Sequence, residues 1–195
     1  MSDALRYPVG RFVFDEHGGA DVRRAAISAI GQFPQALRTA ATALSETQLA
    51  TPYREGGWTA RQVIHHVADS HLNAYIRTRW LLTEDRPTLK AYDEKAWAEL
   101  PDAALSPIEP SLALVEAIHQ RWATLLEALP DEAFLREIVH PERGPMSLDK
   151  PTSNISAPTW TLVSTRLTLD SVASLRGCGR SVPSASRASQ ASSLC

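Results

Sequence analysis

Apolar residues recur at intervals of three and four along much of the first 150 residues, the spacing of helices that bury one face. The first such run starts at Asp21, and its apolar face consists of Val22, Ala25, Ala26, Ile30, Phe33, Leu37, Ala41 and Leu44. Pro34 lies inside this run. Because proline removes one backbone donor and crowds the preceding turn, we expect the helix to kink or split there. Ser45 is placed to cap a short further turn.

The longest helical run without glycine or proline is ARQVIHHVADSHLNAYIRTRWLLTE, which Thr59 can cap. One stripe of this helix is polar and consists of Gln62, His66, Asp69 and Asn73. Its apolar neighbours are Val63, Val67, Ile76 and Trp80. The spacing therefore predicts that polar side chains border or enter a core face.

A third amphipathic helix is predicted from Pro107 onward, with Leu112, Val115, Ile118, Trp122, Leu125 and Leu129 facing inward. The segment before it predicts a long loop with one helical turn around Glu94–Leu100, and loops of this length often line a site. PDEAFLREIV predicts a short helix. HPERGPMSL predicts a turn-rich connection, and Met146–Leu148 the start of a final helix.

Composition changes abruptly after Lys150. The last 45 residues contain no Lys, Glu or His, and 11 of them are serine. Pro151 and Pro158 interrupt any helix there. We therefore divide the chain into a helical bundle over residues 1–150 and a low-complexity tail over residues 151–195.

The overall composition indicates one globular domain, since 44% of residues are apolar and 22% are charged. A net charge of -2 gives no electrostatic reason to expect nucleic acid or an anionic membrane as partner. The N-terminus lacks the apolar segment of a signal peptide, and no run approaches the roughly 20 apolar residues of a membrane span. We expect a cytoplasmic protein with a small-molecule substrate. Cys178 and Cys195 form no CxxC motif.

Among the histidines, His66 is the sharpest candidate for chemistry, because a neutral imidazole facing a bundle interior is a good metal ligand. A lone helical histidine is nevertheless more often a hydrogen-bonded core or boundary residue. His65 and His71 lie one and five positions from His66 and so do not share its face. Asp69 could pair with either His65 or His66.

Two further histidines have plainer interpretations. His119 on the third helix lies near Trp122 and is interpreted as a packing residue. His140 precedes a proline in a predicted turn, where backbone hydrogen bonding is the default.

Four stretches resemble the DinB-like superfamily, specifically its YfiT-like branch of metal-dependent hydrolases. They are YPVGRF at 7–12, TPYREGGWTARQVIHHVADSHLNAYIR at 51–77, LTEDRPTLKAYDEKAWAEL at 82–100 and HQRWATLLEAL at 119–129. The resemblance covers about the first 150 residues.

This resemblance implies an all-α, up-down-down-up four-helix bundle, usually a homodimer, with one Zn or Ni ion on three histidines. It implies a hydrolase in which the metal activates water, or alternatively a bacillithiol S-transferase in which it activates a thiol. The metal ligand on the second helix is a histidine followed by an aliphatic residue, which here is His66 before Val67. The other two ligands come from a His-x-x-x-His pair on the fourth helix.

This chain has no histidine after His140, so the expected pair is missing. Three explanations compete: loss of the site in a divergent protein, truncation with unrelated sequence appended, and a reading-frame shift after about Lys150. The intact upstream motifs favour the frame shift. A non-catalytic or defective bundle is then a third functional alternative. Without a proper fourth helix, we expect the following apolar side chains to be partly uncovered: Val63, Val67, Ile118, Trp122 and Leu125.

Overall fold

The structure is a computed structural model that describes residues 19–53, 56–141 and 144–148. Its three long helices are α1 (Ala20–Thr42), α3 (Ala60–Thr83) and α6 (Glu109–Glu127). They coincide with the three periodic runs, so the helices predicted from the sequence are confirmed. Helix α6 packs against both α1 and α3, so all three long helices contribute to the core through α6.

Short helical elements connect the long ones: α2 (Glu46–Leu49), α4 (Glu94–Ala98), α5 (Pro101–Leu105) and a 3-10 helix (Asp131–Leu135). The turn expected around Glu94 and the short helix expected in PDEAFLREIV are both present. Helices α4 and α5 lie against α3. The long loop therefore returns to the helix that carries the polar stripe.

Both predicted N-caps are confirmed. Ser45 and Thr59 each accept a hydrogen bond from the backbone of the third helical residue, and its glutamine side chain accepts one in return. At α3, the Thr59 amide donates to Oε1 of Gln62 over 2.9 Å, and the Gln62 amide donates to Oγ1 of Thr59 over 3.2 Å. This reciprocal capping satisfies two otherwise unpaired donors and fixes where α3 begins.

Helix α1 continues through Pro34, so the predicted split is wrong. Proline has no N–H, and the carbonyl four residues earlier, that of Ile30, consequently lacks its helical donor. His119 on α6 replaces it, with Nδ1 donating to the Ile30 oxygen over 2.7 Å. The neighbouring helix thus satisfies the one carbonyl that the proline leaves open.

A two-stranded antiparallel sheet follows α6, where we predicted the second half of a short helix, a turn-rich connection and the start of a final helix. Strand β1 (Glu137–His140) pairs with β2 (Gly144–Ser147), and Gly144 adopts a φ of 78°, a conformation that glycine tolerates. His140 accordingly ends a strand and is buried. The loop before α4 joins this hairpin, because the Leu89 amide donates to the Val139 oxygen over 2.8 Å. Strand pairing depends on distant partners, which four-residue segments do not reveal.

The core consists of two apolar clusters between the long helices. One contains Phe33, Leu37, Ile64, Val67, Leu112 and Val115, among others. The other contains Ile30, Tyr75, Leu89, Ile118, Trp122, Phe134, Ile138 and Leu148, among others. Loop, 3-10 helix and hairpin all contribute to this second cluster.

The expectation of an uncovered apolar face is wrong for four of the five residues. Val63, Val67, Ile118 and Trp122 are buried, and only Leu125 is partly exposed. Connecting segments cover the second cluster, since Leu89, Phe134 and Ile138 pack beside Trp122.

The tail at 151–195, including the predicted frame shift, lies outside the described residues. No helix in the described ranges is long and apolar enough to cross a membrane.

Candidate functional site in the polar stripe of helix α3

The polar stripe predicted on α3 exists and is one turn longer than expected, because Arg77 extends it beyond Asn73. Residues 90–102, here called the cover segment, lie across this stripe. Gln62 Nε2 donates to the Ala98 oxygen over 2.7 Å near one end, and the Arg77 guanidinium donates to the Lys90 oxygen over 3.1 Å near the other. The stripe and its cover segment form the candidate site.

Trp58 sits beside His66 at the start of α3. The Tyr53 amide donates to the Trp58 oxygen over 3.1 Å, and Pro52 and Thr59 form an isolated antiparallel bridge. This small loop holds the Trp58 ring 4.7 Å from the His66 ring, centroid to centroid. The indole thereby limits the orientations open to the imidazole.

His66 itself is neutral at physiological pH. Burial lowers its pKa to about 4, because desolvation penalises the charged ring. Its ring contacts the Trp58 ring, and neither of its nitrogens makes a hydrogen bond to a described residue. A neutral imidazole of this kind can offer a lone pair to a metal ion or a proton donor.

Asp69 and Tyr92 lie in the same electrostatic environment. Burial raises the pKa of Asp69, and the nearby Asp102 raises it further. Burial likewise raises the pKa of Tyr92; Glu94 and Asp69 add to that shift, whereas Arg77 opposes it. The cover segment therefore brings a tyrosine hydroxyl within electrostatic reach of both a carboxylate and a guanidinium on α3.

His65 plays a structural part. Its Nδ1 lies 2.7 Å from the Ser111 hydroxyl, and its Nε2 donates a hydrogen bond to the Ser106 carbonyl oxygen over 3.2 Å. The pairing with Asp69 that the spacing allowed is not among the hydrogen bonds of the described residues. His65 instead fastens α3 to the start of α6.

His71 and His119 form a buried pair that the sequence analysis missed. Nδ1 of His71 lies 2.6 Å from Nε2 of His119. Because Nδ1 of His119 donates to the Ile30 carbonyl, its Nε2 must accept, and Nδ1 of His71 must carry the proton. Burial lowers the pKa of both rings, that of His119 to about 4, so both imidazoles are neutral. Pro34 was the available signal, since its missing N–H leaves the Ile30 carbonyl in need of a donor.

The described residues do not complete a metal site. A functional zinc-type site needs three protein ligands and an open position. Within residues 19–53, 56–141 and 144–148, no three His, Cys, Asp or Glu side chains come together as a possible metal site. His66 is the one histidine on the described stripe of α3, and the sequence after residue 150 adds no histidine.

Comparison with known proteins identifies the lineage of this bundle. Residues 29–150 match the family model described as the DinB superfamily. The chain belongs to the DinB superfamily. The resemblance seen in the sequence motifs is thereby confirmed.

Several relatives of this chain are named as metal-dependent hydrolases. A Geobacillus thermodenitrificans protein named "Putative metal-dependent hydrolase" is 49% identical over 136 residues, which are 70% of this chain and 76% of the relative. An Oceanobacillus iheyensis protein of the same name is 47% identical over 155 residues, 80% of this chain and 88% of the relative.

A solved structure confirms the fold class. YfiT from Bacillus subtilis, described as "a probable metal-dependent hydrolase with an unusual four-helix bundle topology", superposes with a TM-score of 0.80 at 36% identity. The superposition covers 91% of this chain and 99% of that one. The predicted four-helix-bundle architecture is therefore correct.

Proposed function

We propose that this DinB-superfamily chain is a metal-dependent hydrolase whose reaction site is the α3 stripe, with His66 as the metal ligand on that helix. The observation that carries the proposal is the state of His66: neutral, beside Trp58, and facing the polar stripe beneath the cover segment. The names of the Geobacillus and Oceanobacillus relatives support it. A metal cofactor and a small-molecule substrate follow from the same proposal.

Asp69 is the proposed proton acceptor of this site. It follows His66 by one helical turn, and its raised pKa makes its carboxylate a stronger base than an exposed aspartate. Trp58 holds the imidazole in place. The cover segment closes one side of the stripe through the bond from Gln62 to the Ala98 oxygen, which restricts the entry of water.

Of the three protein ligands that the proposed metal ion requires, the described residues supply one, His66. We propose that the other two ligands are the His-x-x-x-His pair that the sequence after His140 lacks, and that a frame shift after about Lys150 replaced the residues that would carry it. A single histidine binds divalent metal weakly in water. The choice between Zn and Ni, the cytoplasmic location and the homodimer remain predictions of the family resemblance.

Metal titration of the purified full chain tests both the role of His66 as a ligand and the loss of the other two ligands. We expect Zn or Ni to bind with less than one equivalent retained after desalting, measured by elemental analysis. His66→Ala should weaken the residual affinity, read by competition with a chelating dye, because it removes the ligand of α3. The control is His65→Ala, whose imidazole is already hydrogen-bonded at both nitrogens.

The outcomes separate the alternatives. Equal affinity in His66→Ala and the unmodified chain would remove His66 from the site. One tightly held equivalent of metal would contradict the lost-ligand proposal while supporting metal dependence. Metal-dependent turnover that requires an added low-molecular-weight thiol would favour the S-transferase alternative, and complete loss of metal affinity would favour the non-catalytic bundle.

A further inference from the structure

Arg77 is a partly buried cation without a carboxylate partner in the described part of the chain. It lies on the site face of α3, and its guanidinium donates to the Lys90 oxygen over 3.1 Å. None of the ion pairs between described residues includes it, although Glu94 favours its charged form electrostatically. Charges removed from water are normally paired, so this guanidinium is suited to an external anion.

The Tyr92 side chain lies next to this guanidinium and carries a hydroxyl that can act as a second donor. The Arg77 guanidinium carbon lies 5.8 Å from the Tyr92 ring centroid, and the Tyr92 hydroxyl is buried with no hydrogen-bond partner in the described residues. Trp97 stacks against Tyr92 with the ring centroids 4.5 Å apart, which holds the phenol in place. An oxyanion can accept hydrogen bonds from a guanidinium and a hydroxyl at once.

We propose that Arg77 and Tyr92 form an oxyanion-binding subsite at the far end of the α3 stripe, which selects substrates carrying a carboxylate or phosphate group. The inference rests on the proposed function for the identity of the reacting end, where His66 lies. Eleven residues separate His66 from Arg77, a rise of about 16 Å along the helix axis. Side chains of a helix all lean towards its N-terminus, so this common lean leaves the separation of the two positions essentially unchanged. The substrate is therefore elongated, with its anionic group remote from the bond that breaks.

Anion titration followed by NMR tests this subsite without any turnover. The full chain is titrated with inorganic phosphate or with acetate in a Tris chloride buffer, and sodium chloride of equal ionic strength serves as the control. The probe is the indole N–H resonance of Trp97, assigned with Trp97→Phe, because Trp97 packs on Tyr92. We expect a saturable shift with millimolar affinity for at least one of the two anions. The anion that binds more tightly indicates whether the substrate carries a phosphate or a carboxylate group.

Three variants locate the anion. Arg77→Gln should weaken binding about tenfold, since a charge-assisted hydrogen bond is lost. Arg77→Lys should recover part of the affinity, because it restores the charge without the planar fork. Tyr92→Phe should weaken binding by a smaller factor. Arg79→Gln, two residues further along the same helix at an exposed position, is the matched control and should bind as the unmodified chain does.

An equal shift with sodium chloride, or unchanged affinity in Arg77→Gln, would overturn the subsite. Well-dispersed spectra of each variant establish that the variant is folded, and Arg77→Lys supplies the comparison if Arg77→Gln is not. Anion binding that depends on Arg77 in a chain without metal affinity would uphold the subsite and reject the proposed function. Metal binding at His66 with no anion binding would support the proposed function and reject the subsite.

Discussion

Three histidines within seven residues of α3 have three different environments, and their helical positions explain why. His65 turns towards the start of α6 and is hydrogen-bonded at both nitrogens. His66 turns towards the stripe and the Trp58 ring. His71 lies inside the core against His119. Each residue adds about 100° of rotation to a helix, so adjacent histidines cannot share one role.

The buried pair predicts an acid-sensitive fold. The pKa of His119 falls from an unfolded value of about 6.5 to about 4 in the folded chain, so between these pH values only the unfolded state binds its proton. Stability is therefore retained above about pH 6.5 and lost as the pH falls towards 4. For His119 alone, linkage gives a loss of about 2 kcal/mol between pH 7 and pH 5. Urea unfolding at the two pH values measures it.

His119→Asn is the control for this pH dependence. The asparagine amide can still donate towards the Ile30 carbonyl, but it does not titrate. The variant should be less stable at pH 7, because Nδ1 of His71 loses its acceptor, and it should lose less stability on acidification. An equally steep pH dependence in the variant would show that other groups control acid unfolding.

At the scale of elements, the sequence predicted what depends on local periodicity and missed what depends on distant partners. The three long helices, the caps at Ser45 and Thr59, and the polar stripe around His66 all follow from spacing and side-chain chemistry. The hairpin of β1 and β2 does not, because its strands are stabilised by each other and by the loop at Leu89. Continuity of α1 through Pro34 required a donor on another helix.

A double-mutant cycle tests that account of Pro34. In the unmodified chain, His119→Leu leaves the Ile30 carbonyl without a donor, a cost of about 1–3 kcal/mol for a buried polar group. Pro34→Ala restores an N–H at position 34 that can bond to this carbonyl. His119→Leu should then destabilise the chain by about 1–2 kcal/mol less in the Pro34→Ala background. Additive effects in chemical unfolding would refute the link between the two residues.

At the scale of the whole molecule, the bundle combines a well-packed interior with an incomplete donor set. Trp122 is fully buried, and Val67 is 1% exposed, so the described core does not show the uncovered face expected from the altered tail. The α3 residues of the proposed site, His66 and Asp69, likewise lie on the polar stripe beneath the cover segment. What the described residues do not supply is two further ligands, and packing alone cannot replace them.

A repaired chain separates the fold from the missing ligands. Residues after Lys150 are replaced by an amphipathic helix with an inward-facing His-x-x-x-His pair, whose two imidazoles share one face and could join His66 around one ion. We expect about one equivalent of Zn or Ni by elemental analysis. His66→Ala should abolish this tight binding, whereas His65→Ala should retain it in folded protein, because its imidazole bonds to Ser111 and the Ser106 carbonyl instead. Metal retained by His66→Ala but lost from His65→Ala would place the ligand on the other face of α3.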